Sequence, residues 1–342
     1  MCRSGFRGLL FRLQSSGRGA QSWGRRSLSG SFVISLDFEL LWGVRDHADK
    51  ESYGANILGA RDAIPRLLEL FGENDIHATW ATVGFLFCKD KDELVDCLPE
   101  VQPSYSNPAL STYSYLDDVG KNEKADPYYF GASLIDKIKQ TPRQEIGTHT
   151  LSHCYCLEDG LTVEAFEADL IAAQRLASRR GITLRSIVFP RNQFGPEHLG
   201  ACQRQGLTTY RGNPDSWAYR AAKGTEQTPM RRAFRLVDAY TGALGPQTFS
   251  RYTDVIANVP ASRFLRPCFG RLAAFHPRHI ATIKRGMTAA AKSGTGYHLW
   301  WHPHNFGRNL DANMDGLRQI VRHFTQLRTN DNMTSVTMAE AA

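Results

Sequence analysis

The chain has 342 residues, of which 42% are hydrophobic and 22% charged, a composition typical of a globular protein with a large core. No run of residues approaches the roughly 18 to 20 consecutive apolar residues that a membrane-spanning helix needs, so no membrane span is expected. The net charge is +7, but residues 1–36 contain six Arg and no acidic residue, and the remainder has 35 basic against 34 acidic residues. The excess positive charge therefore belongs to the N-terminal end, and no nucleic-acid partner is expected.

Residues 1–29 are rich in Arg, Ser and Gly and lack a sustained helical or strand periodicity. We interpret them as a disordered basic extension, with a single catalytic domain over residues 30–342. The alternative is an organellar targeting peptide, since transit peptides are also Arg- and Ser-rich. The seven Cys are odd in number and irregularly spaced, and no secretory signal precedes them. This pattern favours free thiols in a reducing compartment, and the expected location is the cytoplasm.

From residue 31 onward, strand-like and helix-like segments alternate along the chain. Short apolar runs predict strands at residues 32–36, 76–83, 144–148, 184–189, 207–211 and 297–301. Apolar residues at helical spacing predict helices over 57–72, 163–177 and 317–327. Two weakly periodic segments, 97–130 and 213–290, are predicted to be long loops that carry substrate contacts. Alternation of strands and helices predicts parallel βα units, arranged as a barrel or as an open sheet.

Two carboxylates follow the first predicted strand. Asp37 and Glu39 lie two residues apart, and residues at this spacing on a strand point to the same side. The pair is therefore a candidate for one shared site. The alternative is that either carboxylate caps a turn after the strand.

Two histidines follow the strand at residues 144–148. His149 and His153 are four residues apart, so a helical turn would direct both toward one metal ion. The alternative is a pair of exposed histidines with no shared ligand. Their position after a strand favours the metal site, because parallel α/β folds build their sites at this edge.

Polar side chains also follow two later strands. Arg191 and Asn192 come after the strand at 184–189, where an Arg can orient a carboxylate and an amide can bind a hydroxyl. His302 and His304 follow the last strand, and histidine is the side chain that exchanges a proton most readily near neutral pH. The alternatives are a polar turn and a surface loop.

Taken together, these motifs resemble the polysaccharide deacetylases, the carbohydrate esterases that share the NodB homology domain. The matching stretches are residues 35–39, 77–84, 148–153, 189–193 and 301–305. The similarity covers roughly residues 31–306. Within the family, the chain looks most like members encoded with bacterial surface-polysaccharide genes.

The resemblance implies an α/β fold, a distorted (β/α) barrel of the NodB type with long loop insertions. It also implies one divalent metal, with zinc as the first choice and cobalt or manganese as alternatives. The implied reaction removes an acetyl group from an N-acetylated sugar. By resemblance, His149 and His153 are metal ligands, Asp37 is the general base, His302 is the general acid and Arg191 orients the base.

The chain departs from the family pattern at two points. Phe38 stands where the family has a second Asp, so Glu39 is the nearest carboxylate that can serve as third metal ligand. The family places Arg ahead of Pro in its third motif, whereas here Arg191 follows Pro190.

Four further residues are expected to contact substrate: Asn192, Trp80, Trp301 and His304. For the two Trp, packing in the core is the alternative. Two other functions remain open, an amidase that acts on a non-sugar amide or ureide with the same fold, and a carbohydrate-binding barrel without catalysis. The sequence leaves the oligomeric state undetermined.

Overall fold

The structure is a computed structural model that describes residues 29–250, 252–253 and 255–342. The predicted N-terminal extension lies outside the described residues except for its last residue, so that part of the domain division stays a prediction. Among the described residues, no helix is long and apolar enough to cross a membrane.

The described part of the chain forms one curled sheet of ten strands. The strands are β1 (Ser31–Phe38), β2 (Ala78–Thr82), β3 (Gln144–Thr148), β4 (Ser186–Ile187), β5 (Thr209–Tyr210), β6 (Tyr252–Thr253), β7 (Ala257–Asn258), β8 (Arg263–Phe264), β9 (Gly296–Trp301) and β10 (Thr334–Val336). Their order is β6-β7-β5-β4-β3-β2-β1-β9-β8, and β10 pairs with β1. All these pairings are parallel except that of β6 with β7.

One extended segment connects the two edges of this sheet. β7 pairs with β5, and six residues later in the chain β8 pairs with β9. Between them, Val259 N donates to the carbonyl of Tyr210 on β5, and Ser262 N donates to the carbonyl of His298 on β9. The sheet therefore curls into the predicted distorted (β/α) barrel, and this fold class is confirmed.

Helices surround the sheet. They are α1 (Lys50–Glu73), α2 (Lys91–Asp96), α3 (Ala132–Gln140), α4 (Val163–Arg179), α5 (Pro196–Arg204), α6 (Pro229–Thr241), α7 (His276–Ser293), α8 (Leu310–Asp331) and α9 (Met338–Ala341). The longer ones bury one apolar face each, as in α8, where Leu317, Ile320 and Phe324 recur at helical spacing and are fully buried.

The alternation of β1 separates the outer core from the barrel interior. Phe32, Ile34 and Leu36 belong to the large apolar cluster beneath the helices. Val33 belongs instead to a small interior cluster, in which Met338 of α9 also packs. Residues on the same side as Val33 become polar toward the C-terminal end of the strand. The barrel is therefore apolar at one end and polar at the end where the candidate site lies.

The prediction of a long loop at 213–290 is wrong in part. It contains α6, α7 and three short strands. Most of α7 does carry an apolar stripe, with Ile280, Ile283 and Met287 buried, but Lys, Arg and small residues between them weaken the pattern. The segment 97–130, in contrast, holds only 3₁₀ turns and irregular chain, as predicted.

Two glycines let α1 approach the turn that follows β9. A Cβ at Gly59 would lie 2.3 Å from the carbonyl oxygen of Gly307, and a Cβ at Gly307 would lie 2.1 Å from the carbonyl oxygen of Asn56. Both contacts are with backbone atoms, which cannot rotate away. This close packing holds the turn Pro303–Phe306, which contains His304 and directly follows His302, against α1.

We expect Gly59→Ala to lower the free energy of unfolding by about 1 to 3 kcal/mol, because the added methyl group overpacks a backbone contact. Gly72→Ala, in the same helix, is the matched control. A Cβ there meets no atom within 4 Å, so this variant should gain about 0.5 to 1 kcal/mol from helix propensity. Urea unfolding followed by circular dichroism measures both values, and a shift of the same sign and size in the two variants would contradict the contact.

Candidate active site

Glu39 and the two histidines of the predicted metal site lie together at the polar end of the barrel. Glu39 Oε2 is 3.3 Å from His149 Nε2 and 3.1 Å from His153 Nε2. All three side chains are buried, and their donor atoms lie within 4.8 Å of one another. Gly43 leaves the space that the carboxylate occupies, since a Cβ there would lie 1.9 Å from Glu39 Cδ.

The turn that carries the histidines is not helical, contrary to the simplest form of the prediction. Thr150 and His153 have positive φ angles of 63° and 59°. Asp169 of α4 holds this turn: its carboxylate accepts hydrogen bonds from the backbone N–H groups of Leu151 (2.6 Å) and Ser152 (3.1 Å). Sequence reasoning missed Asp169, although an acidic residue on the buried face of an amphipathic helix was a signal for it.

The state of these side chains suits a divalent cation. Burial raises the pKa of Glu39, but His302, His149 and His153 outweigh this effect and hold it well below its usual value. Burial lowers the pKa of His153 to about 4. The carboxylate is therefore ionised and His153 is neutral near pH 7, the forms in which both groups bind metals.

The orientation of His149 also suits metal binding. His149 Nδ1 lies 2.7 Å from the carbonyl oxygen of Val188, to which it donates, so Nε2 presents its lone pair toward Glu39. One carboxylate and two imidazoles with further positions open form a donor set typical of zinc and other first-row metals. Glu39, His149 and His153 are thus the residues that would hold the ion.

Asp37 shares this site but has a different partner. Arg211, which follows β5, donates from Nη1 to Asp37 Oδ1 (2.6 Å) and from Nη2 to Asp37 Oδ2 (2.8 Å). Arg211 also donates to Ser35 Oγ (3.0 Å) and Asn192 Oδ1 (3.1 Å), and its guanidinium lies 4.1 Å from the ring centre of Trp300. Burial raises the pKa of Asp37, but Arg211 together with His149 and His302 outweighs this effect and keeps the pKa below the usual value.

The expected contact between Arg191 and the base is corrected by this arrangement. Arg191 pairs with Asp46 and Glu158, and its guanidinium lies 3.9 Å from the ring centre of Tyr155. The turn after β4 is left-handed at both Arg191 and Asn192 (φ 54° and 53°), which directs the two side chains differently. The sequence signal for Arg211 is its position at the end of the predicted strand 207–211.

The two histidines after β9 differ in accessibility. Their rings stack with centroids 5.0 Å apart. His302 Nε2 lies 3.7 Å from Asp37 Oδ2 and 3.6 Å from Glu39 Oε1, and its side chain is 24% exposed. The His304 side chain is only 4% exposed, and burial lowers its pKa to about 3. His302 is therefore the histidine of this pair that a ligand can reach.

Of the residues expected to contact substrate, the structure places some at a cavity and others in the core. Asn192 lines a cavity of about 280 Å³ that opens beside His302. Trp80 and Trp301 are fully buried: Trp80 Nε1 donates to Gln144 (3.0 Å), and Trp301 stacks on Phe306. Both therefore pack in the core, which is the alternative that the sequence left open. The Trp that lines the cavity is Trp300.

We expect Glu39→Gln and Asp37→Asn to affect metal binding differently, because Glu39 lies between both histidines whereas Asp37 is bound by Arg211. Glu39→Gln should weaken zinc binding by more than about 100-fold, beyond the usual effect of losing an outer partner. Asp37→Asn should stay within about tenfold of the parent protein. Competitive titration with a zinc-sensitive chelator measures both constants, and the reverse order would make Asp37 the ligand.

Comparison with known structures places this geometry in a recognised fold. No family model and no curated protein sequence matches the chain. A structure described as a polysaccharide deacetylase from Mycobacterium smegmatis superposes with a TM-score of 0.56 at 12% identity, covering 95% of this chain and 93% of that one. One so described from Pseudomonas aeruginosa PAO1 gives 0.54 at 11% identity, covering 91% and 88%.

Other activities occur among the similar structures. A Puue allantoinase superposes with a TM-score of 0.51 at 12% identity and covers 95% of this chain and 93% of that one. A 4-alpha-glucanotransferase from Thermococcus litoralis gives 0.53 at 11% identity, with 92% of this chain but only 40% of that one covered. At such identities the likeness concerns the fold, and this chain has the curled α/β fold of the polysaccharide deacetylases.

Proposed function

We propose that the chain is a metal-dependent hydrolase that removes the acetyl group from an N-acetylated sugar. The observation that carries this proposal is the shared location of a metal-ligand set and an acid–base pair: Glu39, with His149 and His153, lies 3.6 Å from His302, which in turn lies 3.7 Å from Asp37. A binding barrel without catalysis has no need of both groups at one site.

When bound, a divalent metal polarises a carbonyl and makes water a better nucleophile near neutral pH. The residues of the chain complete the acid–base chemistry. Asp37 Oδ2 accepts the proton of the attacking water, using a lone pair that Arg211 leaves free. Arg211 fixes the carboxylate in place but makes it a weaker base, since a lowered pKa reduces proton affinity.

His302 is placed to donate a proton to the leaving amine. It is the exposed member of the stacked histidine pair and lies at the cavity wall. Asn305 Nδ2 lies 3.4 Å from His302 Nδ1, and the ring also contacts Phe264 and Trp300, so its orientation is constrained on several sides. In this assignment His304 supports the ring of His302 by stacking and takes no proton.

A second candidate function is hydrolysis of a ureide or another non-sugar amide. The superposition on an allantoinase favours it, and the same residues serve both reactions because each breaks a C–N bond next to a carbonyl. The substrate decides between them: acetate release from acetamido sugars supports the deacetylase, and turnover of ureides alone supports the alternative.

We expect activity to require one divalent metal per chain. Removal with a strong chelator, followed by dialysis, should abolish acetate release from acetamido sugars, and one equivalent of zinc should restore it. Metal content by mass spectrometry and acetate by a coupled assay give the two readouts. Full turnover by metal-free protein would contradict the proposed mechanism.

We expect His302→Gln and His304→Gln to separate the two histidines. Loss of the general acid should lower kcat by about 100-fold or more, whereas loss of the stacking partner should cost about tenfold or less. The two variants remove equivalent groups 5.0 Å apart, so each controls for the other. If His304→Gln abolished turnover while His302→Gln kept it within a few fold, the assignment would be reversed.

A further inference from the structure

The cavity beside His302 is rich in arginine. Its lining includes Arg191, Arg220, Arg235, Arg263 and Arg266, and none of the described residues that line it is acidic. The cavity meets the candidate active site along the side chains of His302, Trp300 and Asn192. A single ligand bound in this cavity could therefore place another of its groups next to the candidate metal site.

Two of these arginines are already paired within the protein. Arg191 pairs with Asp46. Arg263 is buried against Asp238, with Nη1 3.2 Å from Oδ2, and it also donates to the Asp238 carbonyl (2.9 Å). These two side chains hold the cavity wall, and their charge is compensated.

The other three arginines have no such partner. Among the described residues, no carboxylate lies within ion-pair distance of Arg220, Arg235 or Arg266. Arg235 Nη2 donates only to the neutral side chain of Gln227 (2.9 Å). The Arg235 side chain is half-buried, and burial together with the neighbouring Arg231, Arg232 and Arg266 lowers its pKa. A partly buried cation of this kind is stabilised by an anion.

The three side chains come from three different parts of the segment 213–290. Arg220 lies between β5 and α6, Arg235 lies on α6, and Arg266 follows β8. The rings of Phe264 and Trp300, with centroids 4.7 Å apart, also line the cavity, and both contact His302. The cavity thus offers an aromatic wall beside His302 and cationic side chains elsewhere in its lining.

From this arrangement we infer, building on the proposed function, that the substrate is an anionic acetamido sugar, whose carboxylate or phosphate group binds Arg220, Arg235 and Arg266. The acetamide group then lies at His302 and the metal-ligand cluster, and the sugar ring contacts Trp300 and Phe264. A neutral sugar leaves the three guanidinium groups without an anionic partner among the described residues.

Steady-state kinetics of the zinc-loaded protein tests this inference with three sugars: N-acetylglucosamine, its 6-phosphate and the corresponding 6-carboxylate. We expect kcat/KM to be about 10- to 100-fold higher for the anionic sugars, the usual effect of hydrogen bonds to charged groups. The anionic sugar with the higher kcat/KM shows whether the cavity prefers a phosphate or a carboxylate. Equal values for all three sugars would overturn the inference and leave the deacetylase proposal intact.

Substitutions of single arginines test which side chains bind the anionic group. Arg235→Gln and Arg266→Gln should each raise KM for the preferred anionic sugar about tenfold, with kcat and all constants for the neutral sugar within about twofold. Arg266→Lys should recover part of the loss, because the charge remains. The matched control is Arg322→Gln on α8, an exposed arginine outside the cavity whose loss changes the net charge equally. Unchanged KM in both cavity variants would contradict the assignment.

A binding measurement separates this inference from the proposed function. Isothermal titration compares glucosamine 6-phosphate with glucosamine, neither of which can be deacetylated. Tighter binding of the phosphate, lost in Arg266→Gln and kept in Arg322→Gln, supports the cationic subsite even if no acetyl sugar is hydrolysed. Equal binding of both compounds by the parent protein contradicts it whatever the activity.

Discussion

The buried pair of Arg211 and Asp37 organises the polar end of the barrel. Arg211 follows β5 and Asp37 lies near the end of β1, and between these two strands in the sheet stand β4, β3 and β2. A carboxylate and a guanidinium buried apart would each cost several kcal/mol, so the two strands are held at the separation that lets the pair form. The same guanidinium donates to Ser35 and Asn192, which brings the end of β1 and the turn after β4 together.

Around this pair, the two carboxylates of the candidate site each have a local counterpart. Glu39 is compensated by histidines, and Asp37 by Arg211. The two carboxylates can therefore lie on one side of a strand end without repelling each other out of the site. This division is consistent with different roles for the two: Glu39 faces the imidazoles that would share a metal, and Asp37 faces His302, the proposed general acid, from a fixed position.

The arrangement differs at the cavity beside His302. There β9 and the turn after it contribute Trp300 and His302, and the segment 213–290 contributes Arg220, Arg235 and Arg266, for which the described residues supply no carboxylate partner. In the proposed arrangement, the strand ends supply the chemistry while the long segment 213–290 selects the substrate class. This separation is why the substrate can be tested by variants on α6 and after β8 that leave the proposed catalytic residues unchanged.

The sequence by itself determined the elements with a clear period and the residues next to them. The apolar run before Asp37, the pair of His149 and His153, and the strand leading to His302 predicted parallel βα units with polar side chains converging at one edge of the sheet. The resemblance to the polysaccharide deacetylases then implied the barrel and the metal-ligand set. The long connection at 213–290 was harder, since the stripe of α7 is interrupted by charged and small residues.

Only the tertiary structure decided which side chains meet across the barrel. Arg211 and Asp37 are 174 positions apart, and Asp169 reaches the histidine turn from a helix, so no local pattern distinguishes them from other charged residues. Trp80 and Trp300 are alike as residue types, yet packing buries the first and leaves the second at the cavity. Contacts of this kind follow from the curvature of the sheet and the direction of each strand end, which depend on the whole chain at once.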